Sequence, residues 1–383
     1  MKILFLCGGL EPGRDGVGDY TRRLAGACIR AGHECEILAL NDRYAPPPEG
    51  IDPFAPSVQE TGGTPVVVRR FSSALPWNLR IRAASAHRAA FAADWVSLQF
   101  VPYAYHPKGL PYRLASDMRI LLGRHSGPPK LHVMFHELWL GMAMDAGMED
   151  RVIGWLQRGI VRDLVSKLRP QALSTQSVCY QRHLEASGIM VSRLPLFGNI
   201  EVNGDEENGL APEVRAALEK FACSMVVFGT VHPEWCPRDL CDHAHRWGWN
   251  QDGGLALVFA GRSGRPSDYF NRLRGTLPKV EVISLGELSE AAVSQLFRGA
   301  RLGVATTPWA LVEKSGSVAA MVEHGLPVVV TRDDWQTKLP GAVPEPGPEV
   351  KPLDLLGSSL PQRHEIRERL DVVAATFLQQ LPA

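Results

Sequence analysis

Five things are missing from this chain, and each argues against a class of protein. No apolar run is long enough to cross a bilayer, and the N-terminus lacks the long apolar core and cleavage site of a signal peptide, so a soluble, cytoplasmic protein is expected. Excess charge is absent: lysine plus arginine and aspartate plus glutamate stand at 41 each with no long run of one sign, which argues against a nucleic-acid partner. Disulfide spacing is absent too, because seven irregularly placed cysteines suit reduced thiols better than a cross-linked framework. Cys236, Cys241, His243 and His245 lie close together but match no zinc pattern, so neither a metal nor a cofactor is predicted. Finally, no G-x-G-x-x-G directly follows the first strand-like segment, which weakens a nicotinamide-binding reading.

What is present is an alternation of strand-like apolar runs and amphipathic segments, the pattern of βαβ units and a parallel sheet. Strands are predicted near Ile3–Cys7, Glu34–Leu40, Val66–Phe71, Trp95–Phe100, Leu131–Phe135 and Ala172–Thr175. A second series falls near Met225–Phe228, Leu255–Ala260, Val280–Ser284, Leu302–Ala305 and Leu326–Val330. Helices are predicted over Gly18–Ala31, Asp239–Trp247, Tyr269–Arg274, Glu290–Arg298 and Ser315–His324. At 383 residues the chain exceeds one usual core. It divides at a polar, glycine-bearing stretch, Asn203 to Gly209, into α/β domains over 1–200 and 201–362. Residues 44–65 read as a mobile surface excursion and 340–361 as an extended connector, while 363–381 looks helical and is expected to pack back on the first domain.

The most informative stretch runs from Glu313 to Val330. It places an acid, a cation and small residues at a helix start, then closes that helix into a buried strand. Amides freed near Ser315, Gly316 and Ser317 carry partial positive charge, Gly316 lets an anion approach the backbone, and Lys314 adds a full charge. Such a junction can hold a sugar diphosphate, with Glu313 left to read hydroxyls. The loops after the other strands of the second half should line the same edge: Phe228 to Trp235 with Thr230, Ala260 to Gly264 with Arg262, and Leu302 to Trp309 with Thr306 and Thr307. Arg262 can neutralise phosphate alongside Lys314.

In the first half, Gly16 and Gly18 allow backbone approach to an anion before a helix. His136 and Glu137 follow a strand and should meet the cleft, where a histidine can bond a sugar hydroxyl. Gln99 to Tyr105 also follows a strand, and Tyr103 and Tyr105 can form an aromatic acceptor wall.

Together, Gly16 to Ala25, Ala31 to Glu34, the His136 loop and Gly286 to Val330 resemble glycosyltransferase family 4 with the GT-B fold. The resemblance implies two Rossmann-like domains whose parallel sheets face a central cleft. It also implies a nucleotide sugar donor held mainly by the second domain, and transfer with retention and without a metal. By position, Gly16 to Gly18 would approach the donor diphosphate, His136 the reacting sugar and Glu313 its hydroxyls. The acceptor would be a carbohydrate, a lipid-linked molecule or a small molecule; a lipid-linked one would bring peripheral membrane contact.

Two departures from the family matter. A second glutamate normally follows the first after seven residues, but that position is Met321, and Glu323 is offered as the donor contact instead. An arginine and a lysine expected after the first strand of the second domain are Thr230 and Trp235 here. The leading expectation is a retaining, metal-independent glycosyltransferase using His136, Glu313, Arg262 and Lys314. The donor would be bound through Gly16, Gly18, Thr230, Arg262, Ser315, Gly316, Ser317 and Glu323. The alternative is a non-catalytic nucleotide-sugar-binding or partner protein of the same fold.

Overall fold

A computed structural model describes residues 1–46, 53–123, 129–202, 209–249, 253–277 and 279–382. The polar stretch expected to separate the domains lies mostly at 203–208, outside the described residues, as does part of the 44–65 excursion. The chain divides into two compact units. One comprises Met1–Pro195, Thr337–Ala342 and Leu370–Ala383; the other comprises Leu196–Gln336 and Val343–Arg369.

The first unit is an eight-stranded sheet of β1 (Lys2–Cys7), β2 (Glu34–Asp42), β3 (Ser57–Thr61), β4 (Thr64–Ser72), β5 (Trp95–Phe100), β6 (Lys130–Phe135), β7 (Ala172–Thr175) and β8 (Ser192–Arg193). Its order is β3-β4-β2-β1-β5-β6-β7-β8, and every pairing except β3 with β4 is parallel. The edge strand β3 and the hairpin turn after it fall inside the stretch read as an excursion, whereas β4 carries the strand expected at Val66–Phe71. Gly62 and Gly63 make that turn with φ of 52° and 66°, the two positive angles a tight hairpin requires. β5 is buried on both faces, and the two polar residues that interrupt its apolar run, Ser97 and Gln99, are hydrogen-bonded inside the core.

The second unit is a six-stranded, wholly parallel sheet of β9 (Cys223–Phe228), β10 (Leu255–Ala260), β11 (Val280–Gly286), β12 (Leu302–Ala305), β13 (Val328–Val330) and β14 (Val350–Pro352), ordered β11-β10-β9-β12-β13-β14. Two apolar layers cover its faces, one around Phe297, Met321 and Leu326, the other around Met225, Leu257 and Phe259. Both units thus follow doubly wound order, with chain reversal at β1/β5 and at β9/β12.

Two segments differ from expectation. The connector 340–361 contributes β14, because Val350 to Pro352 pairs with Val328 to Val330. The final helix covers only Leu370–Gln380. Before it, residues 363–369 form an extended strap, and Arg363 donates to the carbonyls of Phe297, Ala300 and His324. The helix anchors by its fully buried Phe377, whose ring centroid lies 5.7 Å from Phe5 and 5.1 Å from His132. No helix among the described residues is long and apolar enough to cross a membrane.

A chain of hydrogen bonds runs through the first unit's core. Gln176 Nε2 donates to His136 Nδ1, whose Nε2 donates to Gln99 Oε1 at 2.8 Å. Gln99 Nε2 donates to Ser97 Oγ, which donates to His132 Nδ1, both at 2.8 Å. His132 Nε2 donates to Ser174 Oγ at 3.1 Å, and that hydroxyl donates to Gln380 Oε1 at 2.7 Å. Gln380 Nε2 ends the chain on the Arg193 carbonyl at 2.9 Å. The single direction requires both histidines to be neutral and protonated on Nε2.

Burial holds His132 down at about 3, against an ordinary 6.5. Below about pH 6.5 the unfolded chain takes up a proton that the folded chain refuses, so stability is full above that pH and falls as pH drops toward 3. The slope from this one residue approaches about 1.4 kcal/mol per pH unit. His132→Gln is therefore expected to flatten the dependence between pH 6.5 and 4. Denaturant unfolding at a series of pH values checks this, and an unchanged profile counts against a buried neutral ring.

Candidate functional site

The β9/β12 switch point of the second unit gathers the loops the sequence singled out. Crossovers from β9 and to β12 leave on opposite sides, so the loops at their carboxyl ends part and leave a crevice. The backbone of Gly229 enters it with φ 81°, and a Cβ there would lie only 3.1 Å from Ser317 Oγ. Glycine thus lets the β9 turn reach the start of the Gly316–Glu323 helix. Thr306 at the end of β12 stitches the two loops: its hydroxyl donates to Thr230 O at 3.2 Å and accepts from His232 N at 3.3 Å.

The helix begins one residue later than the sequence predicts. Trp309–Lys314 is a separate 3₁₀ segment, and Ser315 caps the α-helix by accepting from Val318 N at 3.4 Å. Helical geometry leaves the amides of Gly316 and Ser317 without acceptors inside the helix. Space beside Gly316 is open: the nearest atom to an added Cβ is Asn199 Oδ1, at 4.0 Å. Glu313 and Lys314 are half-buried at the approach to this helix start.

The cations of this edge differ in how firmly they are held. Arg262 Nε pairs with Glu287 at 2.8 Å while both side chains remain largely exposed, a pair worth about 0–1 kcal/mol and easily exchanged for another anion. Arg332, only 7% exposed, is committed: it grips Asp334 through Nε at 2.9 Å and a second donor, and lies 3.4 Å from Glu234 and from Thr306 O. That grip holds the Asp334 carboxyl below its usual range. Arg265 donates to His232 O at 2.6 Å and lies over the Tyr269 ring. Sequence reasoning missed Arg265 and Arg332. Arg332 follows directly after β13, and the rule that drew attention to Arg262 after β10 would have found it.

Two sequence assignments in this unit take other roles. Glu323, 1% exposed, accepts from Gly198 N at 3.0 Å and Arg369 N at 3.2 Å, clamping the segments by which the chain enters and leaves the unit. Its carboxylate is spent on backbone amides at the far end of the helix, which makes it a structural clamp where a donor contact was expected. Met321 is fully buried core. Trp235 is likewise buried and donates from its indole to Thr331 at 2.7 Å, while Thr230 is exposed.

In the first unit the turn after β1 is closed by its own carboxylates. Asp15 caps the Gly16–Arg30 helix, accepting from Val17 N and Gly18 N at 3.1 and 2.9 Å. Burial raises the Asp15 carboxyl against the pull of those amides. Asp19 accepts from Gly13 N and Arg22, and Asp42 accepts from Leu10 N and Arg70. Of the two glycine amides expected to meet an anion, that of Gly18 is already occupied by an acid. Gly18 has a packing role, since a Cβ there would meet Gly9 O at 2.7 Å, whereas nothing lies within 4 Å of one on Gly16.

His136 is 5% exposed, with both ring nitrogens engaged by Gln99 and Gln176 and Tyr20 packed edge-on at 4.8 Å. It is a held ring, both nitrogens engaged inside the core, where a contact to a sugar hydroxyl was expected. Tyr103 accepts from Gln157 Nε2 through its hydroxyl at 3.3 Å and covers Gly109. Tyr105 buries its hydroxyl but turns its ring to a cavity, and Glu137 is half-buried. No cluster of metal-ligating side chains occurs among the described residues.

No protein-family model matches the chain, and no curated protein matches it either. Solved structures do. Sucrose-phosphate synthase from Thermosynechococcus elongatus aligns over 86% of this chain and 81% of that one with 15% identity and a TM-score of 0.54. The catalytic domain of starch synthase IV from Arabidopsis thaliana, bound to ADP and acarbose, aligns over 89% and 86% with 12% identity and a TM-score of 0.49. UDP-GlcNAc 2-epimerase from Methanocaldococcus jannaschii aligns over 98% and 92% with 12% identity and a TM-score of 0.48. At such identities the likeness speaks to architecture alone, and it rests on the first of the three: the chain has the two-domain, Rossmann-like GT-B fold that its sequence resembled.

Proposed function

We propose that the protein is a glycosyltransferase that takes a sugar from a nucleotide diphosphate sugar to an acceptor hydroxyl. One observation carries the reading: a capped helix start with open space at Gly316 stands at the β9/β12 switch point, preceded by Lys314. Amide dipoles and an ammonium there suit a diphosphate, and they stabilise it most as the sugar departs and its charge grows. Arg262 exchanges Glu287 for phosphate at small cost, and Glu313 reads sugar hydroxyls. The bond from anomeric carbon to diphosphate oxygen breaks, and the acceptor oxygen bonds that carbon. The acceptor's proton leaves with the diphosphate, so neither a dedicated base nor a metal is needed and configuration is retained. The acceptor is read by the first unit, and the fold shared with sucrose-phosphate synthase supports the assignment.

A second reading, a nucleotide-sugar-binding protein without turnover, is favoured by Trp235 serving as core and by Arg332 being committed to Asp334. Binding without transfer to any acceptor would select it.

Lys314→Ala is expected to lower turnover at least tenfold, about 1.4 kcal/mol of transition-state stabilisation, and Arg262→Ala to act in the same direction. Steady-state kinetics with unchanged turnover in both would remove the phosphate assignment. Gly316→Asp should fold normally, since its Cβ meets open space, yet place a carboxylate where phosphate binds. A nucleotide diphosphate sugar that raises Tm of the native chain should fail to do so in that variant, as thermal denaturation would reveal. A retained Tm rise would relocate the donor.

A further inference from the structure

The chain enters the second unit through Gly198, Asn199 and Ile200, laid along the Gly316–Glu323 helix. Gly198 packs so closely that a Cβ would meet Glu323 Oε2 at 2.7 Å and Ala320 Cα at 2.8 Å, and its amide donates to the Glu323 carboxylate at 3.0 Å. Ile200 is buried in the apolar layer that holds Val318 and Met321. Asn199 lies between these two anchors, so its backbone is fixed beside the helix start. Its Oδ1, 4.0 Å from where a Gly316 Cβ would stand, is the described atom nearest that open space.

That oxygen is buried and accepts a hydrogen bond from none of the described residues. A buried carbonyl oxygen without a donor is uncommon and destabilising, and a ligand that brings a donor to it gains what the free protein lacks. From this orphaned acceptor we infer that Asn199 is a specificity-determining residue of the proposed donor site, reserved for a hydroxyl or acylamino N–H on the sugar carbon next to the anomeric centre; the inference rests on the donor reading given above.

Chemistry narrows the group that Asn199 meets. An ionised diphosphate carries acceptors only and cannot satisfy Oδ1. With its oxygens on the amides of Gly316 and Ser317, the sugar atoms nearest to them are the two ring atoms bonded to the anomeric carbon. The ring oxygen has no hydrogen to give. The second ring carbon bears a hydroxyl or an acylamino group, and either one donates. The terminal torsion of a carboxamide is broad, so the oxygen turns readily to a donor at roughly 2.8 Å. The substrate class that follows is a nucleotide sugar with that group intact, in preference to a 2-deoxy sugar.

The test compares the native chain with Asn199→Ala by calorimetric titration with UDP-glucose, ADP-glucose, GDP-mannose and UDP-N-acetylglucosamine, then with the 2-deoxy analogue and the free nucleoside diphosphate of whichever binds. The variant should bind the nucleotide sugar about tenfold more weakly and bind the 2-deoxy analogue and the nucleoside diphosphate as the native chain does. Without ligand it should melt no lower than the native chain, because the atom it loses had no partner; truncating an asparagine that serves only the fold would lower Tm. Unchanged nucleotide-sugar affinity in the variant, an equal loss for the nucleoside diphosphate, or a lowered ligand-free Tm overturns the assignment and leaves the donor site standing. Failure of all four nucleotide sugars to bind the native chain removes the donor reading, and this assignment with it.

Discussion

Everything that concerns the candidate donor site follows from how β9 is flanked. Its neighbours β10 and β12 are both parallel to it, and a parallel neighbour can be reached only by a crossover over one face of the sheet. Because the chain winds outward first to one side and then to the other, the loops above β9 and β12 separate. Into that gap Gly229 brings backbone, Thr306 brings a hydroxyl, and the Gly316–Glu323 helix brings its positive end. A side chain on Gly229 would close the gap onto Ser317, so backbone conformation and ligand space are set by one residue.

The same winding exists in the first unit, yet there the helix start behaves differently. Asp15 accepts from the Val17 and Gly18 amides, and Asp19 and Asp42 accept from those of Gly13 and Leu10 while pairing with Arg22 and Arg70. Two helix N-termini on like strands thus diverge by the capping residue, an aspartate in one case and a serine in the other. A serine cap satisfies one amide without adding charge, so the helix dipole stays available to an anion. An ionised cap consumes it. This contrast, together with the buried ring of His136, is why the proposed donor site is placed on the second unit.

Much of the architecture was legible in the sequence because burial on both sheet faces writes unbroken apolar runs. Leu255–Ala260 and Leu302–Ala305 fall where such runs do, while Trp95–Phe100 and Ala172–Thr175 were found from shorter apolar stretches interrupted by serine, glutamine or threonine. The hairpin strand β3 and the edge strand β14 were not legible, since an edge strand with exposed residues such as Val58 carries no such run. The strap at 363–369 reads as helix by composition but spends its Arg363 donors on three carbonyls of the second unit, a tertiary contact no local pattern records.

For the candidate site, the sequence by itself determined which loops share an edge, because loops at the carboxyl ends of successive parallel strands must lie on one side of a sheet. It also determined that Ser315, Gly316 and Ser317 begin a helix, through capping preference and small size. Only the tertiary structure decided which polar groups are already spoken for. Glu323 and His136 are both polar residues beside strand or helix ends in sequence, and each is committed by partners distant along the chain: Gly198 and Arg369 for the first, Gln99 and Gln176 for the second. The physical reason is that a buried polar group must be satisfied, and its partner is chosen by packing in three dimensions, which spacing along the chain does not encode.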